Sequence, residues 1–155
     1  MKIIEYKAEY SKEIADLFTE AVHNIDDAIY NKAQKEAWAN KVIDYKKWED
    51  RLARTKPFLL LINNQVAGFI ELEADGHIDC TYVHPNYQRQ GVASSLLKYV
   101  IDVAEKTALT TLTVDASMVA KPFFESVGFK VKNENKVMRN GVVLINYLMT
   151  KKVND

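Results

Sequence analysis

Between Pro57 and Pro85 the chain reads "PFLLLINNQVAGFIELEADGHIDCTYVHP", three runs rich in Val, Ile, Leu, Phe and Tyr separated by "NNQ" and "DG". Asn, Asp and Gly at those breaks supply the positive φ angles of tight hairpin turns. The runs Phe58 to Ile62, Val66 to Glu73 and His77 to Val83 are therefore predicted to form an antiparallel meander. Every other element must pack on that meander or extend it. The next stretch, "VHPNYQRQGVASSLLKYV", leaves the last strand through a polar loop with one glycine. It enters a helix with Leu96, Leu97, Val100, Ile101 and Ala104 on one face, and "LTTLTVDA" then returns as a strand. Strand, helix and strand in that order predict a parallel crossover.

The remaining segments complete the sheet. "KIIEYK" reads as a first strand, and Ile14, Leu17, Phe18, Ala21, Val22 and Ile25 recur at helical spacing after it. The run "DDAIYNKAQKEAWANKVIDYKKWEDRLART" has neither Pro nor Gly, which predicts one or two further helices with a break near Asn40 to Asp44. "SMVAKPFFESVGF" is a short helix ended by Gly128, and "KVKNENKVMRNGVVLINYLMTK" is a long hairpin turning at "RNG". The expected fold is α+β, a mixed but mostly antiparallel twisted sheet of about seven strands flanked by helices. At 155 residues, 1–155 fits a single domain.

Charge and cysteine usage narrow the function classes. The 21 basic and 21 acidic residues cancel, so no overall field draws a nucleic acid or an anionic membrane, and neither is expected as a partner. No apolar run is long enough to span a bilayer, and the start lacks the apolar core of a secretory signal. Cys80 is the one cysteine, which excludes an internal disulfide and fits a reducing cytoplasm. His23, His77 and His84 lack metal-ligand spacing, so no metal is expected. By strand alternation Cys80 falls on the face opposite His77 and Asp79 and reads as core.

The run Gln88 to Ala93, "QRQGVA", carries the loop's chemistry. A helix start offers unpaired N–H groups and the positive end of the helix dipole, so it can hold a phosphate with few basic side chains. Gly91 lets the backbone approach the anion, and Arg89 adds charge. An ordinary glycine-containing helix start is the alternative on these residues alone. The five glycines admit neither G-x-G-x-x-G nor G-x-x-x-x-G-K-[ST].

A strand ending "TYVHP", the loop "QRQGVA" matching [QR]-x-x-G-x-[GA], the amphipathic helix and the later "S-x-x-A-x-x-F-F-E-S-V-G-F" together resemble the GNAT superfamily of acyl-CoA-dependent N-acetyltransferases. The segment around His23, Tyr30, Gln34 and Trp38 also resembles an uncharacterised bacterial subgroup of it. The resemblance implies that the strand before the loop splays from its parallel neighbour. Thr81, Tyr82 and Val83 would then pair with the pantetheine arm of acetyl-CoA, and Gln88, Arg89, Gln90, Gly91, Val92, Ala93 and Ser94 would hold its pyrophosphate. Ser117 stands where the family usually has Asn, and Phe124, after Phe123, where it usually has Tyr. That tyrosine serves the departing CoA sulfur, so Phe124 leaves the general acid open, with Ser117 through water, Tyr82 and Tyr147 as alternatives. A thiol of ordinary pKa leaves tolerably without a strong acid.

By the same resemblance the Val83 main-chain N–H is the oxyanion donor. For the base, alternation puts His77, Asp79 and Thr81 on one strand face. His77 lies eleven residues before Gln88, near where some superfamily members carry a glutamate, and an imidazole there can accept a proton. Asp79, Glu71 and Glu73 are the alternatives, and an idle histidine at the hairpin end is the plain one. Tyr30, Gln34 and Trp38, spaced i, i+4 and i+8, share a helix face that the resemblance makes an acceptor wall, with Glu71 and Glu73 as further acceptor-side groups. Core packing is their alternative. His84 stands either at the cofactor or on a loop surface. The expected activity is direct acetyl transfer from acetyl-CoA to an amine, a small molecule before a protein. Two rivals remain: a non-catalytic acyl-CoA sensor or interaction module, and a structural domain that dimerises through the last hairpin, so a homodimer is also weighed.

Overall fold

The computed structural model describes residues 1–154. In chain order the elements are β1 (Lys2–Glu5), α1 (Ser11–His23), α2 (Lys32–Trp38), α3 (Tyr45–Thr55), β2 (Phe58–Ile62), β3 (Gln65–Leu72), β4 (His77–Val83), α4 (Val92–Glu105), β5 (Thr111–Ser117), α5 (Lys121–Ser126), β6 (Lys130–Arg139) and β7 (Val142–Lys152). The strands form one sheet in the order β1-β2-β3-β4-β5-β7-β6. Among the described residues only β4 and β5 run parallel. The predicted turns supply its hairpins: Asn63 and Asn64 sit at φ 53° and 63°, and Asn140 and Gly141 at 48° and 78°, the left-handed pair that matches strand twist.

Two apolar layers cover the sheet. On one side α4 and α5 lay Leu96, Leu97, Val100 and Phe124 against Leu60, Ile70, Ile78, Leu112 and Met149. On the other, α1 and α3 set Ile14, Leu17 and Leu52 against Leu59, Leu61 and Phe69. The α3 sequence, "YKKWEDRLART", buries only Leu52 completely. Burying one leucine is worth roughly 1.5–3 kcal/mol, so α3 needs its polar contacts to stay seated.

Two sequence expectations change here. Tyr30 precedes the Asn31 cap of α2, so only Gln34 and Trp38 of that trio are on a helix. On β4, Ile70 pairs with Thr81 but Leu72 with Ile78, which leaves one residue too many on β4. The extra residue makes a bulge at Asp79 and Cys80, and strict alternation fails there. Cys80 packs with the α1 and α3 layer, on the same side as Asp79 rather than opposite it, and Thr81 turns away. At the sheet's end, β6 leaves one edge unpaired, and the exposed Lys130, Lys132 and Lys136 defend it against added strands.

Candidate active site

The parallel pair separates almost at once. His77 pairs with Thr113 and Ile78 with Val114, and no further β4–β5 pair follows. Each strand nonetheless stays anchored on its far side, β4 to β3 as far as Val83 and β5 to β7 as far as Ser117. The result is a fork with a rigid prong on each side. The His84 N–H donates to the Ala67 carbonyl at 2.8 Å, so alternation directs the N–H groups of Val83 and Thr81 into the gap. Thr81 Oγ1, on β4, and Asn146 Oδ1, on β7, are buried without a hydrogen-bond partner among the described residues, and both residues line the cavity beyond. Unsatisfied buried polar atoms of this kind suit a guest with polar groups.

Below the fork the loop is pinned at its start and open at its end. His84 bonds Glu20 (2.6 Å) through Nε2 and accepts the Asn86 N–H through Nδ1, while Tyr87 donates to Gln65. His84 is thereby a loop anchor. Arg89 and Gly91 then take φ 62° and 80°, and Gly91 opens α4 with no side-chain cap. A Cβ on Gly91 would meet nothing within 4 Å, so the space before the helix is clear. By contrast Asn31 and Asp44 cap α2 and α3 with their side chains. The N–H groups opening α4 are left for an anion, and this start fits the pyrophosphate of an acyl-CoA.

Above the fork lies a cavity of about 840 Å³. Phe18 links its aromatic wall, 4.9 Å from Trp48 and 4.7 Å from Tyr82 between ring centres, and Trp38 joins Tyr30 at 5.3 Å. Burial first, then the neighbouring Cys80, holds the Tyr82 phenol protonated well above its ordinary range. The bulge completes the wall. Arg51 Nη2 lies 2.6 Å from Glu71 Oε1, 3.1 Å from Asp79 Oδ2 and 2.9 Å from Cys80 Sγ, and Thr55 donates to Glu71. Burial and then the Glu71 charge push the Cys80 thiol well up, so it is no nucleophile. Glu71, Asp79 and Cys80 cluster closely enough to suggest a metal, but the guanidinium is already their cation.

Sequence-predicted residues separate into those at the cavity and those beside it. Asp79, Thr81, Tyr82, Ser117, Phe124, Tyr30 and Trp38 line it. His77 does not. It hydrogen-bonds Thr113 at 2.8 Å, its Nε2 lies 3.5 Å from the Asp115 carboxylate, and Asp115 is the lining residue. Tyr30 is 2% exposed and its hydroxyl is committed, donating to the Ile145 carbonyl and accepting the Met118 N–H. Gln34 is the reciprocal partner in the Asn31 cap and reaches the Val143 carbonyl, outside the lining. Glu71 is buried behind Arg51, and Glu73 is exposed at the strand end, so neither lines the cavity. Phe123 packs behind Phe124 with ring centres 5.2 Å apart.

Sequence reasoning missed Phe18, Trp48, Arg51, Asp115, Arg139 and Asn146, all of which line the cavity. Trp48, Arg51 and Leu52 did carry a signal, the i, i+3, i+4 spacing of one helix face.

Comparison with known proteins agrees with this geometry. Residues 10–151 match the Acetyltransferase (GNAT) domain family. The chain is 36% identical over 149 residues to the uncharacterized N-acetyltransferase YafP of Escherichia coli K12, covering 96% of this chain and 94% of that one. A GCN5-related N-acetyltransferase from Rhodopseudomonas palustris superposes with a TM-score of 0.92 at 32% identity, over 97% of this chain and 94% of the other. The PaiA N-acetyltransferase of Thermoplasma acidophilum, solved with coenzyme A, shares the fold at a TM-score of 0.76 and 18% identity, over 98% and 99% of the two chains. A fork, an uncapped helix start and a nearly full-length family match converge: the chain belongs to the GNAT acetyltransferase family and is an acyltransferase.

Proposed function

We propose that this protein transfers an acetyl group from acetyl-CoA directly to the primary amine of a small molecule, with 1–155 acting as one domain. The fork carries the reading. Two paired residues and then a gap give a slot with the uncapped α4 start at one end and the aromatic cavity at the other. The coenzyme A bound to the PaiA relative supports the same occupant here.

Acetyl-CoA supplies an activated thioester. The chain does the rest. The first N–H groups of α4, with Arg89, hold the pyrophosphate, and the inward N–H groups of Thr81 and Val83 meet the pantetheine arm and the charge developing on the carbonyl oxygen. The amine's proton has two exits in the cavity wall, Asp79 and the Asp115 carboxylate backed by His77. His77 therefore acts one residue removed, through Asp115. Ser117 Oγ already accepts the Ala120 N–H, so its own O–H is free to donate to the departing sulfur. Phe124 offers no proton.

Thermal unfolding with and without acetyl-CoA tests the occupant. Ligand at 100 times its Kd stabilises by about 2.7 kcal/mol. Release of CoA thiol across an amine panel then tests transfer. A second reading, an acyl-CoA sensor without chemistry, draws on the apolar Phe124 in the acid's place. It predicts the same thermal shift with thiol release at background for every amine.

A further inference from the structure

We infer that the acceptor carries an anionic group, a carboxylate or a phosphate, in addition to its amine, and that Arg139, Arg54 and Lys47 bind it. The inference rests on reading the cavity above the fork as the acceptor site.

The cavity wall holds four cations, Lys47, Arg51, Arg54 and Arg139, and four carboxylates, Asp44, Asp50, Asp79 and Asp115. Formal charge cancels, but the partners do not. Asp44 caps α3 by accepting the Lys47 N–H, Asp50 pairs with Lys46 at 3.2 Å, Asp79 with Arg51, and Asp115 with His77. Each carboxylate has a donor or a basic nitrogen within 3.5 Å. Among the cations only Arg51 is matched. Lys47, Arg54 and Arg139 form no ion pair and no side-chain hydrogen bond among the described residues.

Arg139 and Tyr82 line the same cavity, and Tyr82 stands at the fork beside the Val83 N–H. The cation is thus within reach of a molecule whose amine sits at the thioester. The pyrophosphate of the cofactor does not account for these residues, because the loop Gln88–Ser94 lies outside this lining. Arg139 and Arg54 come from β6 and α3, and guanidinium groups grip carboxylate or phosphate oxygens in pairs. An amine with no other charge would leave all three cations unmatched. The aromatic wall of Phe18, Trp38, Trp48 and Tyr82 suits an apolar or aromatic body between the two charged ends.

The chain's two tryptophans, Trp38 and Trp48, both line this cavity, so their fluorescence reports its occupancy directly. Three probes would be titrated into the protein with coenzyme A present: phenethylamine, 4-(2-aminoethyl)benzoate and O-phosphotyramine. At least one anionic probe should bind about tenfold or more tightly than phenethylamine, the effect of one charge-assisted hydrogen bond. Which one leads identifies the anion. Arg139→Gln, a change at an exposed position, should remove most of that advantage, and Arg54→Gln part of it, whereas Lys132→Gln on the same strand as Arg139 should keep it. Equal or tighter binding of phenethylamine overturns the inference. So does an advantage that survives Arg139→Gln and Arg54→Gln together, or quenching by no probe at all. Thermal unfolding with coenzyme A alone scores the cofactor reading separately, since a lost thermal shift and a lost anion preference are independent results.

Discussion

The loop below the fork and the wall above it are built by opposite means. Below, residues 81–94 form one continuous stretch, and the groups proposed to bind are backbone N–H atoms presented by an uncapped helix. Above, the wall is made of side chains from α1, α2, α3, β4, β5, β6 and β7, and Tyr30 bonds to Ile145 across 115 residues of sequence. A backbone site tolerates side-chain change except where a Cβ intrudes. A side-chain site depends on every partner being in place.

The sharpest test of that difference is Glu71→Ala, which leaves Arg51 beside Asp79 with its buried partner gone. Stability should fall by about 3–5 kcal/mol in denaturant unfolding. Acetyl-CoA should still shift unfolding of the folded fraction, and a variant that lost only cofactor affinity would erase the distinction between the two halves. Gly91→Leu probes the other side. Its left-handed φ of 80° costs about 1–2 kcal/mol with a side chain, and the added group fills the anion's place. The roughly 2.7 kcal/mol of stabilisation expected at saturating acetyl-CoA should vanish.

Tyr30→Phe strips the partner from the Met118 N–H and the Ile145 carbonyl. A loss of about 1–3 kcal/mol is expected, with faster hydrogen exchange at the Met118 amide. Unchanged exchange there would make the Tyr30 hydroxyl a ligand contact instead. The smallest effect is alkaline. Burial raises the Cys80 thiol above its ordinary 9.0 and the Tyr82 phenol above 10.0. Both groups are neutral below those values, so their contribution to stability is intact there. As pH rises past them the unfolded chain ionises first and stability falls, by at most about 1.4 kcal/mol per pH unit per group. Cys80→Ala should start that decline later. An unshifted onset would mean that the thiol is not buried.

Legibility followed the same division. The meander, the turns at Asn63–Asn64 and Asn140–Gly141 and the α4 loop are local, and local spacing predicted them. The α2 and α3 break was also readable, since it falls between Trp38 and the Asp44 cap. The acceptor wall was not. Gln34 has the right spacing to face the cavity, yet the Asn31 backbone N–H claims its amide oxygen. The faces of Asp79, Cys80 and Thr81 depend on pairing with β3, and a period-two pattern on β4 alone holds no record of the bulge. Asp115 and Arg139 reach the site only through the β5–β7–β6 order of the sheet.

That bulge has an evolutionary consequence. It absorbs one residue between two stretches that keep their pairing, Ile78 on one side and Thr81–Val83 on the other. A change in length at 79–80 would therefore be absorbed locally. A lineage that deletes or exchanges one of those two residues resets Arg51's neighbours while the edge facing the thioester stays in frame. Removing one residue there would change the cavity wall around Arg51 and leave the paired edge at Thr81–Val83 in register.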